Sequence, residues 1–176
     1  ATIALTSIPQ ARTAVEARSL LDSLGADGAH LATMEQLSNQ LTNVNGFKAC
    51  SIVGVGGACE VAALSLALAR HFASNGVKTI LVDLESQRSL IPDLMELPHA
   101  PGLAELLSGS ADFSKAIQRD RASPLQFIRH GQPNGNAEVQ IPVRMEAITN
   151  TLKGIYDVVL LHTGEASPSL LQAAKG

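Results

Sequence analysis

The stretch of sequence that decides the fold is residues 49–83, which read ACSIVGVGGACEVAALSLALARHFASNGVKTILVD. The short apolar run over 49–55 predicts a buried strand, and two glycines follow it. Residues 60–74 are apolar nearly all round, which predicts a helix buried on most of its faces. The run over 79–84 predicts a second strand. A strand, a glycine-rich turn and a helix in this order form the setting in which backbone N–H groups bind phosphate.

The alternation of strands and helices continues on both sides of this stretch. In chain order the further predictions are helices over 11–25 and 32–44, a short helix over 102–107, a strand over 125–129, a helix over 143–153 and a strand over 156–161. Continuous apolar strands that alternate with helices are typical of a parallel sheet covered on both faces. The predicted fold is therefore a three-layer α/β/α domain with a mainly parallel sheet and N-terminal helices. The polar loop over 132–140 is predicted to be the most mobile segment.

The composition excludes several classes of protein. The chain has 176 residues, 45% hydrophobic content and a formal net charge of −3, which suits a single domain with its own core. It contains no run of apolar residues long enough for a transmembrane helix. Weak acidity and few aromatic residues predict no nucleic-acid partner. Cys50 and Cys59 are too few for a disulfide framework or a zinc site, and we interpret them as reduced core thiols. A reactive thiol is the alternative for Cys59, because a helix N-terminus lowers a thiol pKa.

The glycine-rich turn lacks the side chains of a phosphate-binding loop. The motif G-x-x-x-x-G-K-[ST] needs a lysine for the phosphates and a hydroxyl for Mg²⁺. When the motif is aligned to start at Gly54, Gly56 or Gly57, its lysine and hydroxyl positions are occupied by other residue types. No lysine occurs between Lys48 and Lys78. The turn is thus interpreted as a degenerate version of this motif.

Glu60 stands at the predicted start of the helix, where the dipole and the free N–H groups stabilise a carboxylate. Our hypothesis is that Glu60 acts as a built-in substitute for a phosphate anion. The alternative is an ordinary first-turn glutamate. Both interpretations disfavour ATP.

Five landmarks occur in order between residues 47 and 166. They are 47–53 (FKACSIV), 61–67 (VAALSLA), 75–83 (NGVKTILVD), 101–109 (PGLAELLSG) and 155–163 (IYDVVLLHT). Together they resemble the cytoplasmic P-loop domain of bacterial tyrosine kinases, the polysaccharide co-polymerase family of capsule and exopolysaccharide export, which is related to the ParA and MinD ATPases. The resemblance implies a P-loop NTPase-like α/β domain over 47–176. Residues 1–46 are expected to form an N-terminal helical segment packed on the core.

The departures from the family's pattern concern its nucleotide site. The resemblance places Val61 on the family's P-loop lysine, Ala62 on its hydroxyl residue and His162 on the aspartate that organises Mg²⁺. Asp83 is retained, and Glu85 is the candidate for a second carboxylate. A hard Mg²⁺–phosphate site needs oxygen ligands, so His162 is interpreted as a hydrogen-bonded structural residue.

The vestigial nucleotide-site positions are thus Gly54, Gly56, Gly57, Asp83 and Glu85, and we assign no catalytic residue and no metal ligand. No cofactor is expected. The family's kinases also carry a tyrosine-rich tail and an E-x-x-R-x-x-R motif that pairs subunits into a ring. This chain has one tyrosine, Tyr156, and lacks both arginines in the corresponding stretch, 35–41. Ring assembly through that motif is therefore in doubt, and other self-association stays open.

The resemblance implies a degenerate tyrosine-kinase-like module in exopolysaccharide or lipopolysaccharide biosynthesis and export. We expect it to bind the polysaccharide export and polymerisation machinery as a scaffold or regulator, without phosphoryl transfer. The chain begins with Ala1, so we interpret it as part of a longer protein. Its expected place is the cytoplasmic face of the bacterial inner membrane, held there only through that parent protein, or the cytoplasm. The first alternative is an active P-loop ATPase or tyrosine kinase that uses ATP, Mg²⁺ and an unorthodox site with Asp83 and Glu85. The second is a ParA/MinD-like positioning protein.

Overall fold

The computed structural model describes residues 9–25, 28–54, 57–85, 89–132 and 137–165. Its helices are α1 (Ala14–Leu24), α2 (Leu31–Thr42), α3 (Ala58–Ser74), α4 (Ile91–Leu94), α5 (Leu103–Ser108), α6 (Phe113–Ala116) and α7 (Ala137–Lys153). Its strands are β1 (Ala49–Gly54), β2 (Thr79–Asp83), β3 (Gln118–Arg119), β4 (Gln126–Ile128) and β5 (Val158–Glu165). The chain is a mixed α/β protein, as predicted.

The strands form one sheet in the order β1-β5-β2-β4-β3. The neighbours β1 and β5, β5 and β2, and β2 and β4 run parallel, and only β3 is antiparallel to its neighbour among the described strands. The prediction of a mainly parallel sheet is confirmed. Because the strands β1, β5 and β2 are parallel neighbours, their carboxyl ends meet at one edge, where parallel sheets commonly bind ligands.

Helices cover both faces of the sheet. Side chains alternate along β2, so Leu81 joins a cluster with α1, α2 and α3, whereas Ile80 and Val82 join a second cluster with α5 and α7. The first cluster includes Leu20 of α1 and Met34 of α2, which pack with the residues of α3. Helix α3 thus lies between the sheet and the two N-terminal helices. No helix among the described residues is long and apolar enough to cross a membrane.

Two element boundaries differ from the sequence prediction. Helix α7 begins at Ala137 rather than at 143, so residues 137–140 of the predicted mobile loop are helical. Residues 133–136 of that loop lie outside the described part of the chain. The prediction was wrong because polar residues such as Glu138 and Gln140 are good helix formers, although they look like loop composition. Strand β5 begins at Val158 rather than at 156 and continues to Glu165.

Three short elements were not predicted: α4, α6 and β3. Each has only two to four residues, which is too short for a hydrophobic period to show in the sequence. The predicted short helix over 102–107 is present as α5, and Gly109 ends it in the left-handed conformation with φ +73°.

Candidate functional site

The candidate site lies at the carboxyl ends of β1, β2 and β5. The sheet register places His162 of β5 between Ile52 of β1 and Asp83 of β2. Gly54 ends β1, and Gly57 immediately precedes α3. The structure therefore brings Gly54, Asp83 and His162 to one edge of the sheet. Gly56 lies outside the described residues.

Val61 occupies the position that the resemblance assigns to the P-loop lysine. It lies on the first turns of α3 and is only 4% exposed. A Cβ atom added to Gly54 would lie 2.8 Å from Cγ1 of Val61, so the valine fills the space directly against the end of β1. Ala62, the next residue, is fully buried. The start of α3 thus presents apolar side chains toward β1, and Gly54 is required by that close packing.

His162 is fully buried and bonded at both ring nitrogens. Nδ1 lies 3.0 Å from Oγ of Ser65, and Nε2 lies 3.2 Å from Oε2 of Glu85. Since an ionised carboxylate only accepts hydrogen bonds, Nε2 is assigned as the donor to Glu85; a neutral ring then accepts the Ser65 hydroxyl proton at Nδ1. This chain of bonds links α3, β5 and the segment after β2. His162 is a hydrogen-bonded residue, as expected from the sequence.

Sequence reasoning missed Ser65. It is fully buried on α3, one helical turn after Val61, and its hydroxyl is the partner that completes the bonding of His162. A serine within the almost continuous apolar run of this helix was the signal that could have identified it, because a buried hydroxyl needs a hydrogen-bond partner.

Asp83 is 1% exposed at the end of β2. Burial raises the pKa of Asp83 to about 6, against the opposing effects of the nearby His162 and of hydrogen bonds from Ser89 and from the Glu85 backbone. The N–H group of Glu85 lies 3.1 Å from Oδ1 of Asp83. Both acidic residues are therefore already engaged by neighbouring groups of the protein.

The side chain of Glu85 also explains a glycine at the end of β5. Gly164 has a φ of +69°, and a Cβ atom added there would lie 2.8 Å from Cδ of Glu85. The Glu85 carboxylate is thus held between the backbone of Gly164 and the ring of His162.

Glu60 is the third residue of α3 and links the start of that helix to the N-terminal segment. Its Oε1 accepts the backbone N–H of Ala11 at 2.9 Å. Its carboxylate also lies over Gly57, where an added Cβ atom would be 3.3 Å from Cδ. A cavity of about 440 Å³ lies between these segments, and Arg12 and Cys59 are among the residues that line it.

Arg12 supplies positive charge at this cavity. Its guanidinium lies 3.3 Å from Oε1 of Gln10, and its backbone N–H lies 2.6 Å from Oε2 of Glu16. Because Arg12 is exposed, its charge is largely screened by solvent and salt.

The thiol of Cys59 reports the electrostatic character of the start of α3. Burial raises the pKa of Cys59, and the carboxylates of Glu16, Glu60 and Glu85 raise it further. The pKa of this thiol is thus raised, first by burial and then by the carboxylates, which contradicts the alternative of a reactive, low-pKa thiol. Burial also raises the pKa of Cys50, to about 11, which fits a core thiol.

Tyr156 is 4% exposed, and its hydroxyl donates a hydrogen bond to the side chain of Gln126. It is thus a structural residue at the entry to β5 rather than an exposed hydroxyl. Within the part of the chain that the structure describes, no group of three or more His, Cys, Asp or Glu side chains is arranged to hold a metal ion.

Similar proteins share part of this chain's sequence. No protein-family model matches it. The tyrosine-protein kinase CpsD of Streptococcus pneumoniae is 29% identical over 102 residues, which are 56% of this chain and 44% of CpsD. The protein EpsB of Ralstonia nicotianae is 29% identical over 101 residues, which are 57% of this chain and 13% of EpsB. The chain thus matches less than half of the length of either relative.

Solved structures share its fold. The kinase domain of the Escherichia coli tyrosine kinase ETK superposes with a TM-score of 0.59 at 24% identity, over 85% of this chain and 53% of that domain. The septum site-determining protein MinD of Pyrococcus horikoshii, solved with Mg-ADP, superposes with a TM-score of 0.57 at 20% identity, over 68% of this chain and 50% of MinD. At these identities the likeness establishes the fold alone.

Proposed function

We propose that this chain, which is similar in sequence to bacterial tyrosine-protein kinases, is a degenerate member of that family that works without phosphoryl transfer. In this proposal it is a scaffold or regulator in exopolysaccharide biosynthesis and export. Its partners are the polysaccharide export and polymerisation machinery, at the cytoplasmic face of the inner membrane.

The observation that carries the proposal is the packing of Val61 against Gly54. A phosphate-binding loop needs an ammonium group at this position, aimed at the β- and γ-phosphates. Here a buried valine, 4% exposed, fills the space against β1 instead. The residues present therefore do not fit a Mg²⁺–nucleotide, and we derive no reaction step through one.

The hydrogen bonds of His162 support the same conclusion. An aspartate at this position would supply oxygen to the metal, whereas both nitrogens of His162 are bonded to Ser65 and Glu85. Asp83 is the remaining candidate carboxylate. Its pKa of about 6, raised by burial, means that its charge is already unfavourable in the folded protein.

Electrostatics around the start of α3 add a third argument. Three carboxylates, those of Glu16, Glu60 and Glu85, act on Cys59, which is the second residue of the helix. Phosphate groups of a nucleotide would meet this negative field at the place where the helix dipole should attract them. Because the nucleotide site does not suit its ligand, we infer that the domain acts through surfaces that bind partner proteins.

Two measurements test the proposal. The full chain is incubated with radiolabelled ATP and Mg²⁺, and an Asp83→Asn variant is treated in the same way as a control. We expect the wild type to release phosphate and to label protein no faster than this variant does. In the organism that encodes it, deletion of the gene is expected to lower exopolysaccharide output, and the Asp83→Asn allele is expected to restore it fully. An Asp83-dependent turnover of ATP, or failure of that allele at normal protein levels, would support the active-kinase alternative instead.

A further inference from the structure

The segment that precedes α1 crosses the start of α3. Residues 10–13, here named the strap, lie beside Gly57 and Glu60 around the 440 Å³ cavity. Ala11 in the middle of the strap is 2% exposed and belongs to the main core cluster. Its backbone N–H is bonded to Glu60, a residue 49 positions away in sequence. Among the described residues, the strap is thus held on α3 by the small apolar side chain of Ala11 and its hydrogen bond to Glu60, and on α1 by the hydrogen bond from the Arg12 N–H to Glu16.

The helix that follows the strap is held much more firmly. Thr13 caps α1 through its side-chain oxygen, which accepts the N–H of Glu16, and the backbone at Thr13 is extended. The buried face of α1 consists of four apolar residues, Ala17, Leu20, Leu21 and Leu24. Because apolar burial scales with side-chain area, Ala11 contributes far less than this face does. The strap can therefore open at Thr13 while α1 stays packed on α3.

We propose that the strap is a lid over the first turn of α3 and that Glu60 is its latch. When the latch is closed, the strap lies across the first turn of α3, beside the partly exposed Cys59; when it opens, this turn and Cys59 become more exposed to solvent. The lid belongs to the chain itself, so a partner that engages α1 or the strap changes the exposure of the first turn of α3. This inference does not rest on the proposed function, since the lid operates whether or not a nucleotide binds.

The position of the Glu60 carboxylate connects the strap to the start of α3. The same side chain that accepts the Ala11 N–H lies over Gly57 at the start of the helix. Glu60 is therefore the contact through which a displacement of the strap reaches Gly57. In a capping box, a glutamate at this position accepts the N–H at the start of its own helix instead.

A matched pair of variants tests the latch. Glu60→Gln and Glu60→Met both remove the negative charge, but only glutamine keeps an oxygen that accepts the Ala11 N–H. The readouts are hydrogen exchange of the Ala11 amide and the rate of alkylation of Cys59. Since both variants change the charge near Cys59 equally, the difference between them isolates the hydrogen bond.

We expect the methionine variant to exceed the glutamine variant by about three- to tenfold in both rates, as the net contribution of one hydrogen bond implies. The amides of Leu20 and Leu21 are expected to keep their protection, which shows that α1 stays in place. Ala11→Gln, whose longer neutral side chain does not fit the buried site, is expected to speed alkylation of Cys59 without any change at Glu60. Equal rates in the two Glu60 variants, or an Ala11→Gln variant that alkylates like the wild type, would overturn the latch.

Discussion

Two glutamates occupy the same helical position in two regions of the molecule, and they act differently. Glu105 is the third residue of α5, and Glu60 is the third residue of α3. Glu105 accepts the N–H of Gly102, at the start of its own helix, at 2.7 Å, and the N–H of Gln132 at 2.9 Å. Among the described residues, Glu60 accepts one N–H, that of Ala11. The carboxylate of Glu105 thus bonds to the start of its own helix and to a neighbouring turn. The carboxylate of Glu60 bonds to the segment before α1.

The glycines around the two carboxylates differ in the same way. Gly131 has a φ of +85°, and a Cβ atom added to it would lie 3.2 Å from the backbone of Gly102 and would overlap Glu105. Gly57 has a φ of −175°, an extended conformation open to any residue, and an added Cβ would meet only the flexible end of Glu60 at 3.3 Å. The corner at α5 is thus rigid and locally specified, while the start of α3 can adapt.

The largest expected effect is that of Gly131→Ala. The substitution combines a left-handed backbone conformation with overlap on Glu105, so we expect a loss of about 2–4 kcal/mol in the free energy of unfolding. Gly57→Ala, the matched control, is expected to cost less than about 1 kcal/mol, because the end of Glu60 can move aside. Urea denaturation of both variants measures the difference. Equal losses would remove the distinction between the two regions.

Asp83→Asn tests the electrostatics at the carboxyl edge of the sheet. Because burial raises the pKa of Asp83 to about 6, the folded protein retains a proton that the unfolded chain releases from about pH 4. Stability is therefore expected to fall as pH rises through that window, by about 2–3 kcal/mol for a shift of this size. The asparagine variant keeps an acceptor for the Glu85 N–H and should lack this fall. Parallel pH profiles of the two proteins in urea denaturation would contradict the assignment.

A third comparison pairs Glu105→Met with Glu60→Met. The first removes the acceptor of two backbone N–H groups and is expected to cost about 1–2 kcal/mol, whereas the second removes the acceptor of the Ala11 N–H alone and should cost less than about 1 kcal/mol. Burial alone would raise the pKa of Glu105, but the N–H groups of Gln132 and Gly102 outweigh it and hold the pKa below its usual value.

The cost of Glu105→Met should therefore be greatest above the ordinary pKa of glutamate. It should shrink as pH falls through the lower pKa of the folded state, because the wild-type carboxylate is then protonated. Thermal unfolding of the variant and the wild type over this range measures the change. A cost that does not depend on pH would show that the charge of Glu105 is irrelevant to the corner.

The strands and long helices of the fold could be predicted because their signal is local. The apolar run over 79–84 and the all-round apolar helix over 60–74 appear as β2 and α3, with ends shifted by one or two residues. The start of α7 and the short elements could not be predicted, since tertiary contacts rather than periodicity decide them.

In the candidate site, too, local features could be predicted from the sequence and long-range contacts could not. The lack of a loop lysine and the hydrogen-bonded nature of His162 were accessible from motif spacing. The partner Ser65 and the contact between Glu60 and Ala11 depend on long-range packing, and no spacing rule connects residues 49 positions apart. The assignment of Gly54, Gly56, Gly57, Asp83 and Glu85 as vestigial nucleotide positions stays a prediction.

The most direct test of the central claim is calorimetric titration of the full chain with ATP in the presence of Mg²⁺. A buried Val61 against Gly54 and three carboxylates near Cys59 predict no heat of binding in the micromolar range. The kinase-like relatives offer a positive control under the same conditions. Saturable binding of ATP at micromolar concentration would contradict the account of a domain that has lost its nucleotide site.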